Sequence, residues 1–65
     1  MYLSNKGNSL YYLGRYEEAI LAYNKTIEIN PQYANAWHNK GVSLDNLGRH
    51  EEAVVCYNRA KELES

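Results

Sequence analysis

The sequence predicts an all-α fold made of two helix–turn–helix repeats, and so four antiparallel helices. Three observations carry that prediction. The chain matches itself at an offset of 34 residues: laid over 39–65, residues 5–31 give 14 identities in 27 pairs. Among them are Gly7/Gly41, Gly14/Gly48, Ala19/Ala53 and Tyr23/Tyr57. A fixed period of this length marks stacked supersecondary units. Within each unit the apolar residues recur at spacings of three and four, which is one face of a helix. Glycine and proline stand where those helices would end.

The first helix is expected at 2–13, on the stripe Leu3, Gly7 and Leu10. Gly14 closes it, since glycine enters the left-handed conformation without a Cβ penalty. The second is expected at 16–29, on Tyr16, Ala19, Ile20, Tyr23 and Ile27. Glu17 and Glu18 fall in its first turn, where the macrodipole favours negative charge. Pro31 stops it, because proline disfavours helical geometry in the residue before it. The third, at 34–47, carries Trp37, Gly41, Leu44 and Leu47 and closes at Gly48. The fourth, at 50–63, carries Ala53, Val54, Tyr57 and Ala60 behind Glu51 and Glu52. Gly7 and Gly41 lie inside helices, at a cost of about 1 kcal/mol each relative to alanine. Close backbone approach explains them, with Ala19 expected over Gly7 and Ala53 over Gly41.

Sixty-five residues make a single domain over 1–65, with repeat one at 1–33 and repeat two at 34–65. A chain of this size buries only about 60 % of its unfolded surface. The lone Cys56 excludes an internal disulfide, and no Cys/His set has metal-ligand spacing, so no cofactor is expected. Seven basic and eight acidic residues are scattered along the chain, for a net charge of −1. That argues against a nucleic-acid footprint, which needs a concentrated basic face. No apolar run reaches the ~20 residues of a membrane span. The expected setting is cytoplasmic and reducing. No nucleophile–base pair or phosphate loop is present, so the chain is not read as an enzyme. Cys56 matches Ala22 and reads as a small packing residue; His50 matches Tyr16 and reads as packing or capping. Adjacent glutamates diverge by about 100° on a helix and cannot converge on one atom.

These residues resemble the tetratricopeptide repeat. The second unit reads Trp37, Gly41, Leu44, Ala53, Tyr57, Ala60, and the first reads Leu3, Gly7, Leu10, Ala19, Tyr23, Thr26, Pro31. The resemblance covers essentially the whole chain. It departs at Leu3, at Lys6 and Lys40, at Leu10 and Leu44, at Thr26 and at Ser65. It implies a short right-handed α-solenoid segment whose first helices line a concave groove for a peptide or partner helix. It also implies an extra capping helix after the last repeat, which this sequence is not expected to contain.

A second stripe on each first helix forms the candidate groove. It holds Ser4, Asn5, Asn8, Tyr11 and Tyr12, then Asn35, His38, Asn39, Val42, Asp45 and Asn46. The mismatched pairs Asn8/Val42, Tyr11/Asp45 and Tyr12/Asn46 mark it as the place for specificity. Asn5 and Asn39 stand one repeat apart, and each offers donors and an acceptor to a peptide backbone. They resemble the asparagine ladder in the repeats of O-GlcNAc transferases; the alternative is that they are solvated or cap a neighbouring helix. Asn8 and Asn39 match the asparagines of the family's carboxylate clamp, but Ser4 replaces its first lysine and the remaining basic residues are missing. Tyr11 and Tyr12 are either rigid aromatic anchors or a cover for their own helix pair. His38 is either a ligand contact or a solvated polar residue.

Two functional readings follow. The first is a protein-interaction module that binds a protein or peptide. The second is a structural module that stacks on a second copy through its end face, expected at Ala53, Tyr57 and Ala60.

Overall fold

The structure, a computed structural model, describes the backbone of residues 2–64 and the side chains of residues 5–64. Four helices follow one another: α1 Tyr2–Tyr12, α2 Tyr16–Ile29, α3 Ala34–Asn46 and α4 His50–Glu64. Every expected helix is present, and the ends differ by at most one residue. Helices α1 and α2 form one antiparallel hairpin, α3 and α4 a second, and α3 packs back against α2.

The two hairpins turn in the same way. Gly14 and Gly48 take φ of 78° and 79°. The amide of Gly14 donates to Tyr11, and that of Arg15 to Leu10. Gly48 and Arg49 repeat those bonds to Asp45 and Leu44. This paired closure satisfies carbonyls that a helix end otherwise leaves open. Arg15 then folds onto Glu18 with two bonds of 2.7 and 2.6 Å, and Arg49 onto Glu52 at 2.6 and 2.8 Å. Both forks are solvent-exposed and contribute little stability each.

Between the repeats, the Asn30 side chain accepts from the amide of Gln32 at 3.3 Å, and the Trp37 indole donates to the Pro31 carbonyl at 2.8 Å. Trp37 thereby fixes the angle at which α3 leaves the loop. Ile20, Leu44, Ala53 and Cys56 form the apolar centre, with Trp37, Leu47 and Tyr57 packed against it. Burying a side chain the size of Ile20 or Leu44 contributes about 1.5–3 kcal/mol.

The glycine contacts differ from the expectation. A Cβ on Gly7 would lie 2.6 Å from the Tyr23 ring, and one on Gly41 2.7 Å from the Tyr57 ring. The tyrosines, not Ala19 and Ala53, lie over the glycines. The antiparallel register explains this: around the turn at Gly14, residue 23 comes opposite residue 7, and residue 19 lies one turn nearer the loop.

Of the residues expected at the end face, Tyr57 is half-buried. Ala53 is 0 % and Ala60 3 % exposed, so both are spent inside the chain. The apolar residues that α4 leaves exposed are Val54 and Val55.

Candidate functional site

Asn8, Tyr11, Tyr12, Asn39 and Val42 from the expected groove converge on one hollow of about 120 Å³. Tyr23 joins them from α2. Helical spacing sets the arrangement. Asn8, Tyr11 and Tyr12 lie three and four residues apart on α1, and Asn39 and Val42 three apart on α3. The glycine at 7 lets Tyr23 lie flat across α1 and bring its hydroxyl through to Asn8.

Asn8 is the hub. Its Oδ1 accepts from the Tyr23 hydroxyl at 2.6 Å and from Asn39 Nδ2 at 3.1 Å. The second bond crosses from α3 to α1 and ties the two repeats together on this face. Among the described residues, Asn8 Nδ2 and Asn39 Oδ1 have no partner within the chain. The pair therefore presents one amide donor group and one carbonyl acceptor to solvent. Turning both carboxamides over exchanges their roles and leaves the same complement.

The aromatic wall is continuous. Tyr11 meets Tyr12 edge-on at 5.5 Å and Tyr16 at 5.4 Å. Tyr12 is 84 % exposed, so it does not serve as a cover for its own hairpin. Burial first, and then the phenols of Tyr11 and Tyr12, push the Tyr23 hydroxyl up to about 12.

Further along α3, Asp45 accepts from the Tyr57 hydroxyl at 2.8 Å, and His50 Nδ1 lies 2.8 Å from its other oxygen. A carboxylate only accepts, so that nitrogen carries the proton. The His50 and Tyr57 hydrogen bonds hold the Asp45 carboxyl below the usual range. Tyr57 is pushed up to about 12, by burial first and then by Asp45. His50 thus meets a side chain rather than capping its helix. His38 is exposed and tilts against the Tyr57 ring at 5.4 Å.

The remaining groove residues do not join the hollow. Asn5 and Asn35 are exposed and away from it. Asn46 folds its Nδ2 onto the Val42 carbonyl at 2.8 Å. Ser4 lies outside the residues whose side chains are described. The bridged asparagine pair is therefore Asn8/Asn39, where the sequence pointed to Asn5/Asn39. Tyr23 was missed as a site residue because its spacing on α2 assigns it to the core, where its ring does lie. The Asn8/Val42 mismatch was its only signal.

Cys56 is buried in the apolar centre, and burial pushes its thiol up. Among the described residues no His/Cys/Asp/Glu group could hold a metal ion. No described helix is long and apolar enough to cross a membrane.

Comparison with known families agrees with the period and the packing. A model described as "TPR repeat" matches residues 7–48, and one described as "Tetratricopeptide repeat" matches residues 34–65. No curated protein matches the chain. The two matches run from Gly7 to the last residue and include both hairpin turns, so the chain belongs to the tetratricopeptide-repeat family.

Proposed function

We propose that this chain is a protein-interaction module that holds an extended peptide segment across α1 and α3. Repeats of this family generally mediate protein–protein contacts. One observation carries the finer reading. The bridged Asn8/Asn39 pair leaves one donor and one acceptor side by side, the complement of a peptide C=O and N–H. Tyr12, held edge-on by Tyr11, supplies an exposed aromatic anchor next to them. No catalytic role and no cofactor are proposed. The single cysteine, buried and free, suits a reducing cytoplasmic setting.

The test is a titration of the ¹⁵N-labelled chain with a pool of N-acetylated, C-amidated octapeptides of mixed sequence. Binding should move the amides of Asn8, Tyr12 and Asn39, and the best binders should then be measured singly. Asn39→Ala and Tyr12→Ala should each weaken binding by about tenfold with helicity unchanged. Unchanged affinity in both would remove the groove as the site.

A second reading is self-association, and one comparison favours it. Ile20 is 8 % exposed where α3 covers α2, whereas its counterpart Val54 on α4 is 53 % exposed. A second copy would use that face through Val54 and Tyr57. Val54→Asp should then abolish any concentration-dependent mass in sedimentation equilibrium. A mass that survives the change would end this reading.

A further inference from the structure

The hollow is lined by carboxamides, tyrosines and one valine, and among the described residues no positive charge lines it. The chain has seven lysines and arginines. Arg15, Arg49 and Arg59 are held by Glu18, Glu52 and Glu62. Lys25 faces Glu28, and Lys40 lies over the Trp37 ring at 5.7 Å. Lys6 borders a depression between α1 and α2. Lys61 lies far along α4 and is not among the lining residues.

Aromatic rings line the hollow, and a carboxylate stands on the next turn of α3. Tyr11 and Tyr12 line the hollow, and aromatic faces attract cations. Asp45 stands three residues beyond Val42, the next position on the same face of α3. Its side chain is 39 % exposed. Each of its oxygens accepts one bond, from His50 or Tyr57, and keeps a further lone pair. The Tyr11 phenol opposes ionisation of Tyr57, the residue whose hydroxyl Asp45 holds.

We propose that the hollow receives a lysine or arginine side chain of the bound segment. Its aliphatic stem lies against Tyr11, Tyr12 and Val42, and its charged head turns to Asp45. This rests on the groove reading above and assigns the partner's chemistry: a basic segment. A volume of about 120 Å³ suits one such side chain rather than a helix. The charge is opposite to what a carboxylate clamp would accept.

The probes are n-butylammonium and n-butylguanidinium, with butyrate as the counter-probe of matched stem, all at constant ionic strength. The ¹⁵N-labelled chain should show saturable shifts at Asn8, Tyr11, Tyr12, Asn39 and Asp45 with both cations and none there with butyrate. Asp45→Asn keeps an oxygen for Tyr57 and should weaken the cations at least about threefold. Tyr12→Ala, at an exposed position, should weaken them similarly without loss of helicity. Equal shifts with butyrate, cation shifts spread over the outer glutamates, or cation binding untouched by both variants would overturn the proposal. If the neutral or acidic members of the octapeptide pool still move Asn8 and Asn39, only the cationic preference falls. If no peptide moves them, the groove reading falls with it.

Discussion

Tyr57 donates its hydroxyl to Asp45 at 2.8 Å, whereas Tyr23, its counterpart 34 residues earlier, donates to Asn8 at 2.6 Å. The acceptors are not counterparts: Asn8 aligns with Val42, and Asp45 with Tyr11. Each repeat lays its tyrosine ring over the same glycine and then needs an acceptor at the hydroxyl. Repeat one supplies it from one turn of the first helix, and repeat two from the next turn. Two positions that differ between the repeats are therefore linked by one internal requirement.

The first prediction concerns that requirement. Asn8→Val makes repeat one like repeat two at this site but leaves Tyr11 where Asp45 would be. The Tyr23 hydroxyl, on a residue only 1 % exposed, then loses its acceptor. A loss of about 1–3 kcal/mol is expected in urea unfolding. Adding Tyr23→Phe should recover most of it. Full additivity of the two changes would show that the hydrogen bond is not what couples them.

Gly41→Ala should destabilise, although alanine is the better helix former by about 1 kcal/mol. Its Cβ would stand 2.7 Å from the Tyr57 ring, and forcing the pair apart costs about 1–3 kcal/mol. With Tyr57→Ala already in place, the same substitution should become neutral or stabilising. The thermal midpoints of the four variants in this cycle decide the matter.

Ser43 is fully buried, and among the described residues its Oγ has no hydrogen-bond partner. Ser43→Ala removes an unpaired hydroxyl and adds helix propensity. The chain should gain about 0.5–1.5 kcal/mol in chemical denaturation. A loss of stability would mean that the hydroxyl has a partner after all, such as an internal water.

The pH dependence has a definite sign. Tyr23 and Tyr57 are both raised to about 12 in the folded chain, against about 10 for an unperturbed tyrosine. Between those values the unfolded chain has lost protons that the folded chain keeps. The contribution of these two hydroxyls to stability is therefore fully present below about pH 10 and is lost as pH rises from 10 towards 12. Absorbance at 295 nm should show two phenols titrating late, together with a loss of helicity. Simultaneous titration of all the tyrosines near pH 10, with the helices intact, would contradict the placement of both hydroxyls.

The helix layout was legible because it is local. A 34-residue period, apolar spacing, Gly14, Gly48 and Pro31 bring every helix end within one residue of the observed one. Those signals act over a single turn or along one face, and neither depends on what lies across the molecule. The division of groove residues was not legible. All the candidates share one stripe, but Asn46 bonds its own helix, Asp45 serves His50 and Tyr57, and Asn8 serves Tyr23 and Asn39.

The sequence by itself determined the repeat, the four helices and the family, because periodicity and turn chemistry survive without long-range information. Only the tertiary structure decided which polar atoms remain for a partner. That depends on where α2 and α3 cross α1, on a tyrosine hydroxyl reaching 15 residues along the chain, and on carboxamides 31 residues apart coming within 3.1 Å. Hydrogen bonds are satisfied by position in space, and no spacing along a single helix encodes the position of its neighbour.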